Sequence, residues 1–138
     1  MKIRPFAEFE TELPYDGVEG DESVDFEEIV PAGRNIADAW ATILRPLGFE
    51  VSEPIQDDHG WWLHVRDGRY KYELFIARVF ENECHLHAKE AFALWRSKNF
   101  PSFLAQLNSA LNADPRFRNI GWSGSLNDRT KTVTPIVK

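Results

Sequence analysis

The stretch GWWLHVRDGRYKYELFIARVF, Gly60 to Phe80, constrains the fold more than any other part of this chain. Two runs of alternating apolar and polar residues flank Asp67-Gly68, a pair suited to the positive backbone angles of a two-residue hairpin turn. Successive side chains on a strand point to opposite sides of a sheet, so the turn decides which residues look inward. Centred on Asp67-Gly68, it pairs Arg66 with Arg69, Val65 with Tyr70, His64 with Lys71, Leu63 with Tyr72 and Trp62 with Glu73. Directly opposed residues share a face. One face then carries Trp61, Leu63, Val65, Tyr70, Tyr72, Leu74 and Ile76, and this is the core face. The other carries Trp62, His64, Arg66, Arg69, Lys71 and Glu73, then turns apolar at Phe75, Ala77 and Val79. Trp61 and Trp62 are neighbours and cannot both enter one core, so Trp62 lies at a surface or under a cover.

Helices are written on either side of this hairpin. Ile36, Trp40, Ile43, Leu44 and Leu47 recur at helical spacing after Asn35, which is read as an N-cap with Asp38 three residues on; Gly48 is a natural stop. Phe100, Phe103, Leu104, Leu107 and Leu111 form a second apolar stripe, with Pro101 in its first turn. Short strands are expected at Phe49 to Glu53, Cys84 to Glu90 and Phe117 to Trp122. Ile3 to Leu13 alternates Glu8, Glu10 and Glu12 with Ala7, Phe9, Thr11 and Leu13, which suggests an edge strand protected by charge. The predicted fold is α+β: an antiparallel sheet of four to five strands, two main helices packed on one face, and an N-terminal edge strand followed by a long acidic loop. Residues 1–126 form one domain, with residues 14–33 as the acidic loop and residues 127–138 as a polar tail. At 138 residues the chain is long enough to bury a single core.

Charge is distributed unevenly. Ten of the 22 Asp and Glu fall between Glu8 and Glu28, a stretch without Lys or Arg, so the rest of the chain is net positive although the whole carries −6. An acidic whole disfavours nucleic acid, whose binding rests on neutralising phosphates. No apolar run approaches a membrane span, and the basic residues of MKIRPF precede no apolar stretch, so neither a membrane segment nor a signal peptide is expected. One cysteine, Cys84, excludes an internal disulfide, and a reducing cytoplasm is the expected compartment.

Several chemical constellations are weak. His85 and His87 share a strand face, as two metal ligands would, but the expected register sets His64 more than about 20 Å away and places Arg78 beside them. Cys84 and His85 point to opposite faces, which denies the thiol an activating base. GWSGS, Gly121 to Ser125, departs from the G-x-S-x-G nucleophile motif in its last residue and has no histidine after it. The carboxylates of residues 16–28 lack the spacing of a calcium loop. Asp57, Asp58 and His59 read as a turn as readily as an acid–base group.

The expected function is a small acidic protein-binding module, chaperone-like or inhibitor-like and non-enzymatic, without a cofactor. Its partner is another protein, a second copy included. The expected interface comprises Trp62, His64, Arg66, Arg69, Lys71 and Trp95, and Asp16, Glu19, Asp21, Glu22 and Asp25 supply an acidic segment of opposite sign. The alternatives are a small-molecule pocket between helix and sheet, and an enzyme using His64 or His85 and His87.

Overall fold

In the computed structural model, which describes residues 2–19, 28–91 and 97–137, the alternating runs assemble into one antiparallel sheet. Along the chain come β1 (Lys2–Ile3), β2 (Phe6–Thr11), β3 (Val18–Glu19), β4 (Glu28–Val30), α1 (Arg34–Leu44), β5 (Glu50–Val51), β6 (Ile55–Gln56) and β7 (Trp61–Asp67). They are followed by β8 (Tyr70–Phe80), β9 (Glu83–Glu90), α2 (Asn99–Ala113), β10 (Phe117–Ser123) and β11 (Ile136–Val137). The main sheet has seven strands in the order β10-β2-β9-β8-β7-β5, with β6 also pairing β7; β1 with β11 and β3 with β4 make two separate ribbons. The expectation of four to five strands is therefore too low. β5 and β6 are two residues each, too short to show any periodicity in a sequence.

The N-terminal strand is not an edge. β2 lies between β10 and β9, and its acidic side finds partners from far along the chain. Lys131 pairs with Glu8, Arg118 bonds Glu12 at 3.0 Å and lies 3.7 Å from Glu10, and Asn119 donates to Glu10. Charge that reads as protection against pairing is here matched by residues about a hundred positions away. The residues after 126 return to the body: Thr132 bridges Trp122, and β11 pairs β1.

The hairpin turn sits one residue later than expected. Gly68 and Arg69 form the turn, Gly68 takes φ +60°, and Asp67 opposes Tyr70. Glycine at the first central position with a negative φ after it is the type II′ pattern. Moving a turn by one position shifts every partner by two, so Val65 meets Tyr72 and Trp62 meets Phe75. A shift of two leaves each side chain on its original face, and the face assignment survives.

That face is the core. Trp61, Leu63 and Val65 of β7, Tyr72, Leu74 and Ile76 of β8, and Cys84, Leu86 and Ala88 of β9 are all buried. α1 covers β5 and β7 while α2 covers β10 and packs against α1. Trp40 is fully buried among Phe9 and Phe117, and Tyr72 stacks on Phe103 at 4.2 Å. Beside Cys84 on the same face lies Arg78, buried with no ion pair among the described residues. It donates instead to the carbonyls of Leu13, Pro14 and Glu81, which pins the exit of β2 to the β8–β9 turn.

Asn35 does not cap α1, because the helix begins at Arg34, two residues earlier than a cap at Asn35 implies. Gly33 occupies the cap position with φ +118° and offers no side chain. The free backbone N–H groups are met instead by Asp16: Gly33 N donates to Oδ1 at 2.8 Å and Asn35 N to Oδ2 at 2.9 Å. A carboxylate at a helix N-terminus satisfies donors and complements the dipole. Asp16→Ala is expected to cost ~1–2 kcal/mol of unfolding free energy, measured by urea denaturation, with Asp16→Asn retaining part of it.

Candidate functional site

With both helices on one side, the opposite side of the sheet carries no secondary-structure layer among the described residues. The pairing register puts five residues in a line across it: Ile55 opposes Trp62, Trp62 opposes Phe75, Phe75 opposes His87, and His87 opposes Phe6. This row crosses β6, β7, β8, β9 and β2. Phe6 and His87 stack with ring centroids 4.1 Å apart, and Trp62 and Phe75 meet at 4.8 Å. Four of the five are half-buried and Ile55 is exposed.

Beside the row the apolar surface widens. Phe75, Ala77, Val79, His85, His87 and Leu126 border a groove of about 360 Å³. Val79 is 52% exposed and Leu126 67%. Apolar side chains standing contiguously in water mark an interaction surface more often than scattered ones do.

The cover that Trp62 requires is polar and small. Lys89 Nζ stands 5.1 Å above its ring, and its indole N–H donates to Asp57 at 2.6 Å. That hydrogen bond, with a second from the Asp58 N–H, holds the Asp57 carboxyl below its usual range. Asp57 is thus an acceptor that orients the Trp62 indole.

His64, Arg66 and Lys71 share this face: His64 opposes Glu73, and Arg66 opposes Lys71. Arg69 leaves the expected patch, because its place in the turn sends the guanidinium over Tyr70 at 5.2 Å. Trp95, Asp21, Glu22 and Asp25 lie outside the described residues, as does the side chain of Glu19. Asp16 is occupied at α1 rather than at the basic patch. Phe6, Ile55, Lys89 and Leu126 were not expected. Lys89 could have been found from its parity with His87, whereas Phe6 depended on knowing that β2 pairs β9.

His85 and His87 do share a face, but their neighbours on β8 are Ala77 and Phe75, not Arg78. The offset from His64 to His85 shrinks to four residues, about 13 Å along the strands. No group of three or more metal-ligating side chains occurs among the described residues. Glu8 is 4.0 Å from His85 Nδ1, beyond a hydrogen bond. Cys84 is buried, and burial pushes its thiol up to about 11 despite the nearby Arg78. A thiol so raised stays protonated at neutral pH and is a poor nucleophile.

Burial in the row, reinforced by Lys89, holds the His87 imidazole below its usual range. The unfolded chain therefore takes up the proton first. The His87 contribution to stability is present above about pH 6.5 and lost as pH falls through the lower, folded-state value. Urea denaturation at pH 7.5 and 5.0 is expected to show a loss at acid pH that is smaller in His87→Gln.

Among the described residues no helix is long and apolar enough to cross a membrane. No protein-family model, curated protein or solved structure matches this chain.

Proposed function

We propose that the chain is a protein-binding module that docks its partner on the sheet face opposite the helices. The observation that carries this reading is the row Ile55, Trp62, Phe75, His87 and Phe6, with the groove beside it. Aromatic side chains with one wet edge bring much contact area at little conformational cost, and they dominate interface energetics. Lys89, Lys71 and Arg66 on one side of the row, and the paired carboxylates Glu8, Glu10 and Glu12 on the other, supply a polar rim.

The groove beside the row favours a partner surface over a small metabolite. Its titratable groups are His85 and His87, and it lies on the open face rather than between helix and sheet. A small-molecule site wants several converging polar groups in a concave pocket. Chaperone-like and inhibitor-like roles both use such a docking face.

The reading is tested by immobilising the chain and comparing what Trp62→Ala and Leu47→Asp retain. Leu47 is an exposed apolar residue just after α1, away from the row. Retention of a discrete protein is expected to weaken in the first variant and persist in the second. Equal retention by both, or a large rise in melting temperature with a metal, nucleotide or sugar, would overturn it.

A further inference from the structure

Resting on the docking reading, the make-up of the row sets how docking responds to acid. His87 is the one titratable side chain among Ile55, Trp62, Phe75, His87 and Phe6. It stands inside the row, opposite Phe75 on β8 and Phe6 on β2, and is half-buried there. Its ring lies 4.1 Å from that of Phe6 at an interplanar angle of 11°.

No carboxylate opposes the imidazole. Along β9 its neighbours on the same face are Lys89 and His85. On β8 the positions either side of Phe75 are Glu73, which opposes Lys89, and Ala77, which opposes His85. On β2, Glu8 opposes His85 and pairs with Lys131, while Arg4 donates to the Thr130 carbonyl. From the loop after β10 comes the apolar Leu126. Glu73 and Glu8 are therefore diagonal neighbours, about 7–8 Å from His87 across the sheet. Each has a cation beside it, Lys89 and Lys131 respectively.

In the free chain a protonated His87 keeps its open edge in water. A partner seated on the row removes that water and leaves the charge between Phe6, Phe75 and a third apolar surface. Burying a charge without a counter-ion is costly, whereas the neutral imidazole is accommodated. The face of Phe6 attracts a cation, but it does so in the free and docked states alike and offsets nothing. Docking thus lowers the proton affinity of the imidazole, so it releases a proton and acid opposes it. By linkage the affinity is full above the free-chain titration and falls at most tenfold per pH unit below it.

We infer that docking on the open face requires a neutral His87 and is released by acid. The probe is the protein that the immobilised chain retains through Trp62, eluted and titrated back at pH 7.5 and at pH 5.0. Amide NMR spectra confirm that each chain compared is folded at both values. The dissociation constant is expected to rise at the lower pH at least threefold more for the unaltered chain than for His87→Phe, which keeps an aromatic ring on Phe6 but takes no proton. The partner is the same in both titrations, so its own titrating groups cancel. Changing His59, His64 and His85 together to Gln leaves the excess in place. An equal rise in the unaltered chain and in His87→Phe, or no rise in either, overturns acid release while the docking reading stands. Tighter binding in acid that His87→Phe abolishes would mean a partner carboxylate against His87, and overturns it too. If the chain retains nothing through Trp62, the docking reading falls and acid release with it.

Discussion

Phe75→Asp is expected to weaken partner binding by at least about a hundredfold, ~2.7 kcal/mol, while leaving the chain folded. Phe75 stands at the middle of the row, directly opposite Trp62 on one side and His87 on the other, and it borders the groove. A carboxylate there would lose much of its water when the partner docks, which is costly in an apolar contact. The core should survive, because Leu74 and Ile76 on either side point to the helices and are fully buried. Phe75→Leu keeps the apolar surface and should retain most of the affinity. Circular dichroism and urea denaturation of both variants separate docking from folding. An aspartate variant that still binds as tightly would remove the row from the interface.

Gly60→Ala is expected to destabilise the fold by ~2–3 kcal/mol, among the larger effects for so small a change. A β-carbon at Gly60 would overlap the carbonyl oxygen of Ile76 and come 2.8 Å from the ring of Phe75. The first clash is with backbone in the middle of the longest strand, which cannot swing aside as a side chain would. The second pushes on the row itself. Gly68→Ala makes a useful comparison, because a β-carbon there has open space and only the backbone angle of φ +60° is strained. Denaturation midpoints should place Gly60→Ala well below Gly68→Ala. The reverse order would mean that the β7 start is free to shift away from β8.

How much of this could be read beforehand depended on distance along the chain. The inner and outer faces of the hairpin were legible because they rest on parity, and parity survives the one-residue displacement of the turn to Gly68-Arg69. The α2 stripe of Phe100, Phe103, Leu104, Leu107 and Leu111 was equally legible, and all five are buried. The interior position of β2 was not, because Lys131 and Arg118 reach Glu8, Glu10 and Glu12 from more than a hundred residues away. The α1 cap was hidden for the same reason: Asp16 is seventeen residues from Gly33. The candidate site was half visible. Trp62, Phe75, Ala77 and Val79 follow from alternation, but Phe6 and Ile55 join the row only through pairings that no local pattern encodes.

The docking face is tested most directly by replacing Phe75 with benzoyl-phenylalanine and irradiating cells that make the protein, with the same substitution at Gln106, exposed on α2, as the control. A discrete cross-linked protein is expected from position 75 and not from position 106. Cross-links of the same pattern from both positions, or a discrete product from position 106 alone, would contradict the assignment of the open sheet face as the surface that binds.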